Sequence, residues 1–198
     1  MSFKNKDEID RILSALGDQL AATGSERLDL LVCGGSALHA LHLVSRTTKD
    51  IDVVARVDGV AAESVMHRPD PFSPILDGAI KKVGRDFGLK EDWFNPGPAS
   101  ALDLGLPEGV LSRAEVSHYG PLLTVRFFSR YDQIHFKLYA AVDQGGKHYA
   151  DLLELKPTAE ELFAAAKWSM THDVSEGYKG ELKRILTGMG HNDVAERI

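Results

Sequence analysis

The chain has a single cysteine, Cys33, so no disulfide can close within it, and a reducing compartment is the expected setting. It lacks any apolar run near the ~20 residues that a membrane-spanning helix requires. Its first residues, MSFKNKDEIDRI, have no apolar stretch of the kind a signal peptide needs. A cytoplasmic protein without membrane contact is therefore expected. Positive charge is not in excess either: 29 acidic residues against 23 basic ones leave a net −6. That balance removes general electrostatic attraction as a route to nucleic acid. Arg113, Arg126, Arg130, Lys81, Lys82 and Arg85 are read as charges on solvated faces, not as a basic groove. The sequence shows no internal repeat and no low-complexity segment. What remains is a soluble globular composition, 43% apolar over 198 residues, enough for one good core or two small lobes.

Apolar residues at helical spacing, Ile9, Ile12, Leu13, Leu16 and Leu20, predict an opening helix over 6–22. Leu28 to Cys33 reads as a short strand, followed by a helix from about Ser36 to Leu43. Asp50 to Val57 reads as a second strand, its direction relative to the first left open by the alternation alone. Residues 58–74 are loop-rich. A third helix, marked by Ile75 to Phe87, ends near Gly88. A brief strand is expected at Glu91–Phe94 and irregular chain over 95–110. Two strands near 113–118 and 121–128 flank Tyr119-Gly120-Pro121. Beyond Ser129 the pattern turns helical, with helices through YDQIHFKLYAAVD, at 148–155, from Thr158 with Glu161 in capping-box register, and at 176–188. The expected organisation is a mixed sheet-and-helix lobe over 1–128 and a helical lobe over 129–198.

The stretch LLVCGGSALHALHLVSRTTKDIDVVARV carries the chemistry. Asp50 and Asp52 are one residue apart on a strand, so their side chains share a face while Ile51 and Val53 take the other. Two adjacent carboxylates repel each other, and a divalent cation with hard oxygen ligands relieves the repulsion. The Gly34-Gly35-Ser36 turn opens a helix, where backbone N–H groups can meet a phosphate. Together the two halves are far more specific than either alone, and they point to a cation beside a triphosphate.

The order strand, Gly34-Gly35-Ser36-Ala37-Leu38, helix, then Arg46, Thr48, Asp50, Ile51 and Asp52 on a strand resembles the nucleotidyltransferase superfamily with the polymerase-beta-like fold. Within it, the pattern is similar to the abortive-infection AbiEii-type toxin branch and its bacterial relatives. The resemblance implies an α+β fold with a mixed sheet flanked by helices and a C-terminal helical lobe. It implies Mg²⁺ or Mn²⁺ at Asp50 and Asp52, and NTP phosphates over Gly34, Gly35 and Ser36, with Arg46 and Thr48 beside them. The implied activity is transfer of a nucleoside monophosphate from an NTP to an acceptor hydroxyl on a tRNA end, a protein or a small molecule. One branch implies a toxin with an antitoxin partner. The competing reading is a nucleotide-binding or interaction module on the same fold with little or no turnover. A small-molecule-modifying resistance enzyme, its pocket shaped by 58–74 and 95–110, is a third.

Lys137 is the only formally charged residue in IHFKLYAAV, and a lysine there reads from sequence alone as one snorkelling from the core's rim. AbiEii-type proteins carry a lysine on the first helix after the sheet lobe, then an aspartate in a D-L pair, here Lys137 and Asp151-Leu152. That match implies that Lys137 meets the triphosphate charge and that Asp151 orients it or acts near the nucleophile; a helix cap is the structural alternative for Asp151. Superfamily members often add a third carboxylate on a later strand, as metal ligand or general base. Asp92 in KEDWFN is the choice, with Asp103 and a degenerate Asn95 as alternatives. His39, His42 and Cys33 do not have the spacing of a structural zinc site. Trp93, Phe94, Phe127 and Phe128 are expected in the core, and Phe136, Tyr139, Phe163 and Trp168 between helices.

Overall fold

The computed structural model describes residues 2–44, 46–59 and 64–198, and the chain divides into two compact units, Met1–Ser129 and Arg130–Ile198. The first unit is α+β, with a mixed open sheet flanked by helices. Helix α1 (Lys6–Thr23) begins where the Asn5 side chain accepts the Glu8 N–H, and it ends at Gly24 in the left-handed region. Strand β1 (Leu28–Cys33) runs into α2 (Gly34–Ala40), and β2 (Ile51–Asp58) follows. A short strand β3 (Val65–His67) falls within the stretch expected to be loop, part of which, 60–63, lies outside the described residues. Helix α3 (Pro74–Phe87) has Ser73 as N-cap, proline in its first turn and left-handed Gly88 at its end. Then come β4 (Phe94–Asn95), a 3₁₀ turn at Gly97–Ala99, the short helices α4 (Ser100–Leu104) and α5 (Val110–Arg113), and the hairpin β5 (Glu115–Tyr119) and β6 (Leu123–Phe127).

The strands line up as β3-β2-β1-β6-β5. β1 is antiparallel to β2 and parallel to β6, while β4 joins the outer edge of β2 in parallel. Alternate residues of the sheet, among them Leu28, Leu30, Val32, Ile51, Val53, Val125 and Phe127, pack in one core with the apolar stripes of α1 and α3. Trp93, Phe94, Phe127 and Phe128 are all buried. At Gly17 a β-carbon would collide with the Tyr119 carbonyl, so only glycine lets α1 lie this close to β5. This core fixes β1 and β2, and with them the turn and the aspartates that they carry.

The second unit is helical: α6 (Arg130–Gln144), α7 (Gly146–Glu154), α8 (Ala159–His172), α9 (Glu176–Gly188) and α10 (Asn192–Arg197). The capping box forms at α8: Glu161 N–H donates to Thr158 Oγ1 at 3.2 Å, and Thr158 N–H donates to Glu161 Oε2 at 2.8 Å. Arg130 donates to the Leu155 and Lys156 carbonyls and pairs with Glu161, tying the end of α7 to the start of α8. Phe136 stacks on Trp168 with ring centroids 5.3 Å apart, and Tyr139 meets the same indole edge-on. Helix α10 lies beyond 176–188, the last helix expected; its Val194 and Ala195 are buried, so packing carries a six-residue helix that periodicity alone does not announce. Among the described residues no helix is long and apolar enough to cross a membrane.

Candidate metal and phosphate site

Gly34 and Asp52 meet because of strand register. Cys33, the last residue of β1, is paired with Asp52 across the antiparallel β1–β2 ladder. The next residue, Gly34, adopts φ 75° and opens α2. A β-carbon there would fall well inside 3.0 Å of Asp52 Oδ2, so the carboxylate rests on the glycine's bare α-carbon. Gly35 does the same for the segment leading into β2: a β-carbon on it would lie 2.5 Å from Thr48 Oγ1 and 3.4 Å from the Arg46 guanidinium. Both glycines of the motif therefore serve close approach of site residues to the turn. The Ser36 side chain is buried, and its hydroxyl donates to the Cys33 carbonyl at 3.4 Å, which closes the turn.

Asp50 stands immediately before β2 and Asp52 within it; buried Ile51 and Val53 occupy the alternate face, as the spacing predicts. Thr48 Oγ1 donates to Asp50 Oδ1 at 3.3 Å, and Asn95 Nδ2 donates to Asp52 Oδ1 at 3.2 Å. Two contacts pin the segment ahead of the aspartates. Phe3, fully buried, exchanges backbone hydrogen bonds with Thr48 at 2.7 and 3.0 Å, and buried His39 bonds the Arg46 carbonyl through Nε2. Arg46 and Thr48 are thus held against Gly35 by contacts from the N-terminal segment and from α2.

The third acid is corrected by the structure. Asp92 lies in the turn before β4, not on a strand, because Trp93 is pulled into the core, where its indole donates to the Ile80 carbonyl at 3.1 Å. Its carboxylate is exposed and pairs with Lys90 Nζ at 3.2 Å. The register partner of Asp52 on β4 is Asn95, whose own Oδ1 accepts the Gly97 N–H at 2.8 Å. An amide donor therefore occupies the place beside Asp52 where a further carboxylate was sought. Asp103 is elsewhere, paired with Arg68.

Lys90 is the residue that sequence reasoning missed. Its ammonium lies 3.3 Å from Asp50 Oδ2 and bridges to Asp92. Partial burial works against its charge, but the hydrogen bonds and charges of Asp92 and Asp50 outweigh that and hold its pKa above the usual lysine value. No local signal marks it: the bridge spans 40 residues and depends on α3 ending at Gly88.

The donor chemistry suits a hard divalent cation. Asp50 and Asp52 are carboxylates on one face, partly open to solvent, and one already attracts an ammonium. Among the described residues, no three His, Cys, Asp or Glu side chains cluster as a metal cage. Two carboxylates, with the remaining ligands from water and phosphate, is the usual manner of Mg²⁺ binding beside nucleotides. The expected scatter of basic residues is also seen in part: Lys81 pairs with Asp77, Lys82 with Asp86, Arg126 with Asp29 and Arg130 with Glu161.

In the helical unit, Lys137 does not snorkel. Its side chain is 5% exposed and its ammonium lies 2.8 Å from Asp151 Oδ2, itself 1% exposed. Asp151 sits in the body of α7 and does not cap it. The two residues singled out on α6 and α7 form a buried ion pair, with Asp132, Gln133 and His135 also buried on α6. The chain matches no protein-family model, no curated protein and no solved structure.

Proposed function

We propose that the sheet unit is the catalytic lobe of a metal-dependent nucleotidyltransferase with a polymerase-beta-like fold. The observation that carries the reading is the packing of the Asp52 carboxylate on the α-carbon of Gly34, with Asp50 beside it on the same face. Two carboxylates beside a glycine turn support the reading of a cation site next to a phosphate site. Asp50 and Asp52 would hold Mg²⁺ or Mn²⁺, which when bound supplies polarisation of the α-phosphate. The backbone at Gly34 and Gly35 would receive the phosphates, with Arg46 and Thr48 alongside and Ser36 bracing the turn. A role for Lys137 as a cation for the triphosphate, oriented by Asp151, would rest on the resemblance alone. In the reaction the acceptor oxygen forms a bond to the α-phosphorus, the bond to pyrophosphate breaks, and the hydroxyl proton leaves to a base or solvent. The acceptor is a tRNA end, a protein or a small molecule; a toxin role with an antitoxin partner follows from the resemblance alone.

Asn95 favours the second reading, a nucleotide-binding module with little turnover. It puts an amide where a third acid would strengthen the site. The deciding experiment incubates the protein with Mg²⁺ and each labelled NTP, with and without total tRNA, beside the Asp50→Ala/Asp52→Ala variant. Label should move to an acceptor with the native chain and fall by at least about a hundredfold in the variant. Equal transfer by both proteins refutes the site; no labelled acceptor under any condition assigns the binding module.

A further inference from the structure

We infer that Lys90 is a tethered counter-ion that occupies the Asp50 carboxylate until a divalent cation displaces it, and that it thereby sets the affinity of the site for metal. The inference rests on the reading of Asp50 and Asp52 as metal ligands. Its own support is the placement of Lys90.

The backbone of Lys90 is fixed on both sides. The left-handed Gly88 ends α3, and Leu89 N–H returns to the Gly84 carbonyl at 2.8 Å. On the other side Trp93 N–H bonds the Lys90 carbonyl at 3.2 Å, and the Trp93 carbonyl accepts the Ile51 N–H of β2 at 2.7 Å. The turn is thus fastened to the residue between the two aspartates, and the lysine root cannot drift from them. The side chain is another matter: it is 37% exposed and, among the described residues, its ammonium is held by Asp50 and Asp92.

That arrangement suits exchange. A cation bound at Asp50 and an ammonium at the same oxygen repel each other and compete for its lone pairs. Lys90 has a second carboxylate, Asp92, 3.2 Å from its ammonium and more exposed than Asp50, on which it can remain when Asp50 takes a metal. A lysine has the flexible stem and the rotatable donors for such a switch, which a rigid guanidinium fork has to a lesser degree. Without metal, Lys90 offsets the repulsion between Asp50 and Asp52. With metal, the same side chain is the competitor that must leave.

The test is Mn²⁺ binding to the full chain, followed by the electron paramagnetic resonance signal of free Mn²⁺. The proteins are the native chain, Lys90→Met, Lys90→Arg, Lys49→Met and Asp50→Ala/Asp52→Ala. Removing a partly exposed competitor should tighten Mn²⁺ binding by about fivefold in Lys90→Met. Lys90→Arg, which keeps the charge on a side chain less suited to the switch, should not tighten Mn²⁺ binding relative to the native chain. Lys49 is an exposed lysine next to Asp50 in sequence, so Lys49→Met controls for the loss of a nearby charge and should shift affinity less than Lys90→Met. Native binding with an unchanged or weakened Lys90→Met overturns the role of Lys90 while leaving the metal site standing. An equal gain in Lys49→Met also overturns it, as a general charge effect. Mn²⁺ bound by none of the proteins, or bound equally by the double-aspartate variant, overturns the metal site and this inference together.

Discussion

Replacing Asp151 with alanine is expected to destabilise the helical unit by about 3–5 kcal/mol, because it leaves the Lys137 ammonium buried without its partner. The two side chains are 5% and 1% exposed and 2.8 Å apart, so solvent screens the pair little. Stability should therefore respond to loss of one partner far more than to loss of both. Lys137→Met with Asp151→Leu removes the charge together with its counter-charge and should recover most of the loss, since apolar pairs of similar volume often match a buried ion pair. The measurement is urea unfolding of the full chain. The chain has two tryptophans, Trp93 in the sheet unit and Trp168 in the helical unit, so a Trp93→Phe background lets Trp168 fluorescence report the helical unit. A loss below about 1 kcal/mol for Asp151→Ala would mean that the ammonium is hydrated, and the pair would then be an ordinary surface contact.

Gly34→Ala is expected to cost about 1–2 kcal/mol in stability, and Mn²⁺-dependent NTP affinity by more than about tenfold. The first part follows from φ 75°, a conformation in which a β-carbon crowds the backbone. The second follows from the new methyl group colliding with Asp52 Oδ2, which drives the carboxylate away from the turn and off its hydrogen bond with Asn95. Gly78→Ala is the comparison. Gly78 lies within α3 with nothing near its missing β-carbon, so alanine should stabilise the chain by about 0.5–1 kcal/mol and leave nucleotide binding unchanged. Stability comes from thermal or urea unfolding, affinity from titration with a fluorescent NTP analogue in Mn²⁺. Native affinity in a folded Gly34→Ala protein would separate the turn from the ligand.

The local features were legible in the sequence because their causes are local. Apolar spacing in α1 and α3, the glycine after α3, the capping box of α8 and the alternation around Asp50 and Asp52 all act within a few residues. The relation of Gly34 to Asp52 could be expected only through resemblance, since it depends on Cys33 and Asp52 falling into register across β1 and β2. Asn95 reaches Asp52 through the β2–β4 pairing, and Phe3 reaches Thr48 by an isolated bridge; neither leaves a periodic trace. A strand is expected at Glu91–Phe94, through Asp92, yet it starts two residues after Asp92, once the indole of Trp93 has entered the core. Lys137 was visible as a lone charge in an apolar stretch. That its ammonium is buried against Asp151 depends on how α6 and α7 pack, which composition does not disclose.

The claim that Asp50, Asp52 and the Gly34-Gly35 turn form a cation-dependent triphosphate site is tested most directly by equilibrium NTP binding with and without Mn²⁺, in the native chain and in Asp50→Ala/Asp52→Ala. The native protein should bind NTP at least about thirtyfold more tightly with Mn²⁺ than without, and the double variant should lose that dependence. Mn²⁺-dependent binding that is undiminished in the folded double variant would contradict the account.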